Sequence, residues 1–395
     1  MKQVYIKTYT SAGVFVKTIT DFKIDGFTKQ INQGIGQMNI TLARQLDTFN
    51  TAGDFTLGNK IELYVTDEDT GSVPRKIYTG YVEQQRPSML GNREQVDIVC
   101  MSVASKLAQD MLKDGTQTTL YTIPTDGLTT VIGDLGPAEV ADVLEAIVDR
   151  FVAENPTIKF NYNNDEGTSS IEVTGNTMEY TFQSMTYADA IKKVKDVAPQ
   201  NWFWYIDEDE TIYLRAPADT ADHTFTVGKN ISRIEVTKGL DSVKNFFLLY
   251  ASTPAIYKAY SDATSIARYG RRVQLETDAN IVTEDTMNNI GASFLAENKD
   301  ARVRISMQII DSNENENGYD IESIIPGDTC KILGISPGED LFTDNMIIKE
   351  VEWTPDYVNL VIETRQDFDF DTFILNMEKK TESQSVVNIP TTYTV

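Results

Sequence analysis

Hydrophobic and polar residues alternate most regularly between Tyr269 and Ile332, where the pattern changes from a helical period to a strand period. Thr283 is a residue type that caps helices, and the acidic pair 284–285 follows it in what would be the first turn. Together with the apolar spacing, this predicts a helix over 283–298. Its apolar stripe would consist of Met287, Ile290, Phe294 and Leu295.

A strand and a turn follow this helix. Apolar residues occupy every second position over 303–309, which predicts a half-buried antiparallel strand. The polar run 311–318 and the segment Pro326-Gly327-Asp328 predict two turns, the second leading into a strand over 329–333. The segment therefore predicts one helix against a meander of strands.

Period-two patterns also dominate the first part of the chain. Runs at 4–9 and 14–19 flank Thr10-Ser11-Ala12-Gly13, which predicts a hairpin with Gly13 at a position of positive φ. Roughly six such runs fall within residues 1–105, at spacings that suit hairpins. We expect a small barrel or sandwich there.

Residues 106–222 alternate between helical and strand patterns, which predicts an α+β domain. One helix would begin near Pro137, and a second would open on the capping box formed by Thr186 and Asp189. The runs 202–206 and 211–214 then predict a hairpin with large aromatic residues, including Trp202 and Trp204. Strand patterns return near 225–250 and form a further hairpin over 346–353 and 357–364, whereas residues 376–395 predict an extended polar tail.

The length, hydrophobic content and charge of the chain exclude several classes of function. At 395 residues with 41% hydrophobic residues, the chain is long enough for two or three domains with their own cores. The formal charge of −24 argues against a surface that holds nucleic acid by neutralising phosphates. No apolar run reaches the ~18 residues of a membrane span, and the N-terminus has a strand pattern rather than that of a signal peptide. We expect no membrane insertion by this chain.

Candidate catalytic chemistry is sparse. His223 is the only histidine, which removes histidine-based triads elsewhere and leaves no histidine cluster for zinc. Cys100 and Cys330 lie in strand-like apolar runs, so we expect buried free thiols rather than a disulfide. No phosphate-binding loop or complete dinucleotide fingerprint is present. We therefore expect no catalytic, cofactor-binding or metal site, and no enzyme.

Two features have alternative interpretations. The loop from Asp311 to Glu322 spaces its acidic and amide residues as a calcium loop does, but Glu316 replaces the glycine such loops require and the flanks are strands. Trp202 and Trp204 would suit either a core hairpin or a carbohydrate-stacking platform. The second interpretation would make the chain an acidic carbohydrate-binding surface module.

Several segments form a recognisable series along the chain. In the C-terminal half these are Tyr269–Val273, Phe294–Lys299, Asp320–Ile324 and Pro326–Asp328, which follow one another over some 60 residues. In the N-terminal half they are Phe27–Asn32, Gly34-Ile35-Gly36 and Tyr78–Val82. Together they resemble the tail hub, or baseplate hub, proteins of tailed phages, and the order and spacing of the C-terminal segments match that family.

This resemblance implies two small β-barrel domains with an α+β insertion. The first barrel would comprise 1–105, completed by 223–250, the insertion 106–222, and the second barrel 251–375 with helix 283–298. It also implies a homotrimer at the distal end of a tail tube, joining the sixfold tube to a threefold tip. Implied partners are tail tube or distal tail proteins, the tape measure protein, and tip or receptor-binding proteins. DNA would be transiting cargo, and the protein would be a virion component assembled in the host cytoplasm.

A conduit for DNA raises an expectation about charge. Like charge within about one Debye length, ~8 Å at physiological salt, leaves DNA free to slide, whereas basic walls would hold it. We expect acidic residues to line the barrels and the arginines to face subunit contacts. These arginines are Arg268, Arg271, Arg272, Arg302 and Arg304.

Overall fold

The computed structural model describes residues 2–33, 36–43, 53–67, 73–90, 93–112, 138–163, 169–180, 182, 185–251, 257–310, 319–334 and 346–363. Strands account for 46% and helices for 20%, so the mainly β fold predicted from the sequence is confirmed. Pro137, most of the calcium-like loop and the tail at 376–395 lie outside the described residues, whereas the helix predicted to begin near Pro137 is confirmed at Val140–Glu154.

The secondary structure consists of twenty strands and five α-helices among the described residues, with a short 3-10 helix at Ile321–Ser323. The strands of the first part are β1 Lys2–Tyr9, β2 Phe15–Ile19, β3 Lys23–Gln30, β4 Gln37–Leu42, β5 Lys60–Asp67, β6 Arg75–Leu90 and β7 Arg93–Met101. The middle strands are β8 Ala138–Glu139, β9 Thr177–Met178, β10 Phe203–Ile206, β11 Ile212–Arg215, β12 His223–Thr226 and β13 Ile231–Lys238. The later strands are β14 Phe246–Tyr250, β15 Tyr257–Ser261, β16 Val273–Thr277, β17 Val303–Ile310, β18 Thr329–Leu333, β19 Met346–Trp353 and β20 Tyr357–Glu363. The helices are α1 Val103–Gln109, α2 Val140–Glu154, α3 Tyr187–Val197, α4 Ala263–Tyr269 and α5 Glu284–Asn298.

One 13-stranded sheet contains strands from both ends of the chain. Its main path runs β13-β17-β20-β19-β3-β4-β7-β6-β5-β1-β2, and β12 and β18 pair beside it. Neighbours on the path are antiparallel, whereas β12 and β18 are parallel. Strands β1–β7 therefore form one contiguous block and β17, β19 and β20 another.

The two blocks meet where β3 pairs with β19. Phe27 lies opposite Trp353, and their rings stack with centroids 5.2 Å apart. Gly26 has φ 135°, and a Cβ there would lie 2.3 Å from the Trp353 carbonyl oxygen. The absence of a side chain at Gly26 thus lets the two strands approach closely.

Local patterns that the sequence shows clearly are confirmed. Gly13, with φ 79°, turns the chain between β1 and β2, as its position in the hairpin predicts. Strand β17 alternates as expected, with Val303, Ile305, Met307 and Ile309 buried. The predicted hairpin across residues 354–356 is formed by β19 and β20.

Both predicted helix caps are present. The Thr283 side chain accepts a hydrogen bond from the backbone N–H of Thr286, and Thr186 accepts one from Asp189. The apolar stripe of α5 differs in part, because Leu295 is only half-buried while Gly291 is buried. A Cβ at Gly291 would lie 2.2 Å from the Tyr260 ring, so the glycine makes room for an aromatic side chain.

The buried residues form two large clusters and one small one. The first lies in the large sheet, and the second is built on α2, α3, α5 and β14. A small third cluster of Ile31, Phe203, Tyr205 and Ile347 connects the β10–β11 hairpin to the large sheet. Because Trp204 of the same hairpin belongs to the second cluster, the hairpin contacts both parts of the fold.

The closed barrels stay a prediction, because the described strands form no closed barrel. Strands β12 and β13, predicted to complete the first barrel, pair with β18 and β17, and β14 belongs to a separate sheet. The domain boundaries likewise stay a prediction.

Candidate assembly surfaces

The turn between β10 and β11, residues 207–210, consists of four acidic residues and contacts the first block of the large sheet. We call it the acidic turn. Lys29 forms an ion pair with Glu208 at 2.9 Å, and Lys76 pairs with Asp209. These contacts link residues far apart in sequence, so the turn fixes the hairpin on β3 and β6.

Glu210 is the buried member of this turn, with only 1% of its surface exposed. Its carboxylate accepts hydrogen bonds from the Tyr81 hydroxyl and the Lys60 ammonium, both at 2.7 Å. Its φ of 63° is unusual for a residue with a side chain. These two partners stabilise the buried charge and hold the turn, with its unusual backbone conformation, against β5 and β6.

Glu62 on β5 is a second shared carboxylate. Tyr9 and Tyr64 both donate hydroxyl hydrogen bonds to it at 2.8 Å. Burial raises the pKa of Glu62, but these hydrogen bonds and the charges of Lys76 and Lys60 outweigh burial and hold it below its ordinary value. The carboxylate therefore stays ionised and fixes both tyrosine rings.

The aromatic hairpin belongs to the core. Trp204 is 2% exposed, and Trp202 is half-buried against the helical cluster. A carbohydrate platform requires exposed ring faces. The interpretation as a carbohydrate-binding module is therefore wrong for Trp204, and the core interpretation is confirmed.

His223 forms part of a buried polar cluster. One ring nitrogen lies 2.5 Å from the Tyr319 hydroxyl and the other 2.8 Å from an Asp328 carboxylate oxygen. Asp328 also accepts from the backbone N–H of Ile325 at 3.2 Å. These bonds hold the Pro326-Gly327 turn beside β12, so this histidine has a structural role there.

The described residues form neither a metal site nor an exposed reactive thiol. No group of three or more His, Cys, Asp or Glu side chains in the described ranges is arranged to hold a metal ion. Of the calcium-like loop, Glu322 is described, and it accepts a hydrogen bond from the Trp353 indole at 3.3 Å. Cys100 and Cys330 are both buried free thiols, as predicted, and burial raises the pKa of each. No helix in the part of the chain that the structure describes is long and apolar enough to cross a membrane.

A cleft of about 580 Å³ lies between α3, α5 and the end of β16. Lys193 spans part of it, with its ammonium 2.8 Å from Asp278 and 3.3 Å from Glu276. Lys195 pairs with Glu297 across the helices at 2.9 Å. These ion pairs fasten α3 to its neighbours.

A three-stranded sheet leaves one apolar face exposed. Strand β14 lies in its centre, antiparallel to β15 and parallel to β16. Phe247 and Leu249 point to α5, where the Phe247 ring stacks on Phe294 with centroids 4.1 Å apart. The alternate residues of all three strands therefore point away from the helix. We call this the open sheet face, and its large apolar residues are Phe246, Leu248, Tyr250, Tyr257, Val273 and Leu275.

Of the arginines expected at subunit contacts, Arg271 lies on this face. The Arg271 guanidinium lies 3.8 Å from the centre of the Phe246 ring, and Arg272 donates to the Leu240 carbonyl at 2.9 Å. Arg268 is exposed on α4, which directly precedes this segment. Of the other two, Arg304 lies on β17 of the large sheet, and Arg302 directly precedes β17 and pairs with Glu363 at 3.4 Å.

Sequence reasoning did not identify the open sheet face. The run Phe246–Tyr250 is continuously apolar, which is equally typical of a strand buried on both sides. The available signal was the alternation of Val273 and Leu275 with polar residues just after a helix-terminating Gly270.

Comparisons with known proteins give similarity in fold. No protein-family model matches the sequence, and a search of curated proteins gives no match. Among solved structures, the chain resembles the tail protein from Neisseria meningitidis MC58, with a TM-score of 0.59 at 10% identity over 91% of this chain and 96% of that one. The 43 kDa tail protein of prophage MuSo2 from Shewanella oneidensis gives a TM-score of 0.58 at 11% identity, covering 92% and 98% of the two chains. For the prophage tail protein gp18 from Listeria monocytogenes EGD-e the TM-score is 0.51 at 12% identity, covering 95% and 98%. The resemblance to phage tail proteins predicted from the sequence is confirmed at the level of the fold.

Proposed function

We propose that this chain is a structural component of the tail of a phage or phage-like particle, and that it forms the hub at the distal end of the tail tube. The observation that carries the proposal is the similarity in fold to three phage and prophage tail proteins over 91–95% of this chain and 96–98% of theirs. Similarity over nearly all of both chains concerns the complete architecture rather than one common module.

The sheet topology supports two β units within the chain. Strands β1–β7 are contiguous neighbours, β17, β20 and β19 are contiguous neighbours, and β3 and β19 join the two blocks. We propose that these blocks are the cores of the two barrel domains, at 1–105 and 251–375, and that residues 106–222 are the insertion. Helices α2 and α3 of that insertion supply much of the helical cluster, to which β14 and α5 also contribute.

A homotrimer follows from this division. Three copies with two similar barrels each would present six matching units to a sixfold tube and a threefold face to the tip. Its partners would be tail tube or distal tail proteins, the tape measure protein, and tip or receptor-binding proteins. The protein would assemble in the host cytoplasm and remain in the virion tail.

Native mass spectrometry of the protein, expressed alone and with tube subunits, tests the trimer. We expect complexes that contain three copies. A hexamer, or a single copy bound in assembled tails, would contradict the proposed symmetry.

We further propose that the chain has no enzymatic activity. The single histidine is engaged by Tyr319 and Asp328, and the buried carboxylate of Glu210 is engaged by Tyr81 and Lys60. Neither group is free for acid–base catalysis. Zymography on bacterial cell walls should show no clearing, and clearing that disappears on substitution of one Asp or Glu would refute this.

The hub would form part of the path for DNA, which is its transiting cargo. We propose that the inward-facing positions of both barrels are rich in Asp and Glu, consistent with the charge of −24. A structure of the assembled ring would test this directly, since a neutral or basic inner wall would contradict it.

A further inference from the structure

Within the part of the chain that the structure describes, the open sheet face keeps large apolar side chains exposed. Tyr257, Val273 and Leu275 are 61%, 52% and 59% exposed, and they stand side by side with residues of β14. Large apolar side chains that are exposed singly are ordinary, but a contiguous apolar face typically marks an interaction surface. Because α5 already covers the other side of the sheet, folding of the chain does not require this face.

The ring contacts on the face keep it ordered without a partner. Tyr250 and Tyr257 stack across the strands with centroids 5.6 Å apart, and Arg271 lies over Phe246. Rigid aromatic side chains lose little conformational entropy when they are covered, as do side chains already held by a neighbour. Aromatic residues and arginine are also the residue types that contribute most to binding energy at protein interfaces.

The area of the open sheet face is smaller than that of a stable interface, so the face would form only the centre of one. Three strands about 4.8 Å apart, each with five residues at about 3.3 Å, give a flat face of roughly 240 Å². A stable interface buries about 800 Å² on each partner. The open sheet face would thus supply the apolar centre, and the surrounding polar residues the rim.

The charge of the rim indicates the occupant. Arg271 lies over Phe246 on this face, and Arg268 and Arg272 are close to it in sequence, in a chain whose formal charge is −24. A basic rim favours an acidic partner, and another copy of this chain presents an acidic surface. A basic partner would be repelled by the arginines. DNA carried through the tail would be attracted by them but would leave the apolar centre uncovered.

We propose that the open sheet face packs against a second copy of this chain, with Arg271 pairing with acidic residues of that copy. The contact is heterologous, because the partner contributes a different, acidic surface, and heterologous contacts form a ring when the rotation between successive copies closes. This inference rests on the proposed ring-forming hub and assigns it a subunit interface.

Leu275→Asp tests the proposal, because it places a carboxylate in the apolar centre without altering the core. Val173→Asp is the matched control, since Val173 is 76% exposed and lies outside the face. Sedimentation velocity should show the oligomer for wild type and Val173→Asp, and at least a tenfold weaker association for Leu275→Asp. Arg271→Glu should weaken association to a similar degree, and thermal denaturation should show that all variants are folded.

The outcomes separate the inference from the proposed function. An unchanged oligomer for folded Leu275→Asp would overturn the inference, whether or not tails assemble. An unchanged oligomer combined with loss of another tail protein from particles would assign the face to that protein and would also overturn it. If wild-type protein is absent from tail particles altogether, the proposed function fails independently of the Leu275 result.

Discussion

Glu210→Gln should destabilise the protein more than any other single change in the acidic turn. Glutamine keeps the shape of the side chain but removes the charge that Tyr81 and Lys60 approach at 2.7 Å. A hydrogen bond to a charged group contributes about 1.5–3 kcal/mol, and breaking a buried ion pair costs about 3–5 kcal/mol. Lys60 retains Glu62 at 3.5 Å as a second partner. We therefore expect a loss of about 2–3 kcal/mol in the free energy of unfolding.

Urea denaturation followed by tryptophan fluorescence measures this loss, because Trp204 lies in the same hairpin. Asp209→Asn is the matched control, since the Asp209 side chain is 70% exposed and its pair with Lys76 should contribute at most about 1 kcal/mol. Combining Glu210→Gln with Lys60→Met removes both charges, and the double variant should lose less than the sum of the two single losses.

Three results would refute this reasoning. A loss below about 0.5 kcal/mol for Glu210→Gln would mean that the buried carboxylate does not stabilise the fold. An equal loss for Asp209→Asn would mean that burial does not distinguish the two residues. Additive losses in the double variant would mean that Lys60 and Glu210 are not coupled.

Further expectations concern a tight turn, a tyrosine and the thiols. Gly327→Ala would place a Cβ 2.1 Å from the Phe203 ring at a residue with φ 98°. In urea denaturation it should lower the free energy of unfolding by about 2–5 kcal/mol, whereas Gly13→Ala, where the Cβ would enter open space, should lower it by about 1–2 kcal/mol. Equal losses would contradict the close approach at Gly327. Burial and the hydrogen bond to Glu62 raise the pKa of Tyr9 to about 12 from 10.0, so the stability that Tyr9 contributes should be complete below pH 10 and lost as the pH rises to about 12. Tyr9→Phe should flatten this part of the stability profile, and an unchanged slope would contradict the assignment. Cys100 and Cys330, both 0% exposed, should react with a thiol reagent only on unfolding, and rapid labelling of the native protein would contradict their burial.

Elements whose signals are local could be predicted from the sequence. The cap at Thr283, the alternation along β17 and the glycine of the first hairpin each depend on neighbouring residues, and each is present in the structure. The same holds for the core position of the aromatic hairpin, because the preceding helix α3 offered it an apolar surface.

Long-range pairing could not be predicted in the same way. Phe27 on β3 lies opposite Trp353 on β19, near the other end of the chain. Such a pairing cannot be predicted because side-chain periodicity does not specify a strand's partner. The burial of Glu210 could not be predicted either, because an acidic turn is ordinarily solvated and its partners Tyr81 and Lys60 lie in a distant hairpin. The open sheet face could not be predicted because the apolar run of β14 is equally typical of a strand buried on both sides.

Cryo-electron microscopy of tail particles that contain this protein tests the central proposal most directly. The proposal predicts three copies in a ring at the distal end of the tail tube, with the fold described above fitting the density of each copy. Particles that assemble with this chain absent from the tail, or located along the tube in sixfold rings, would contradict it.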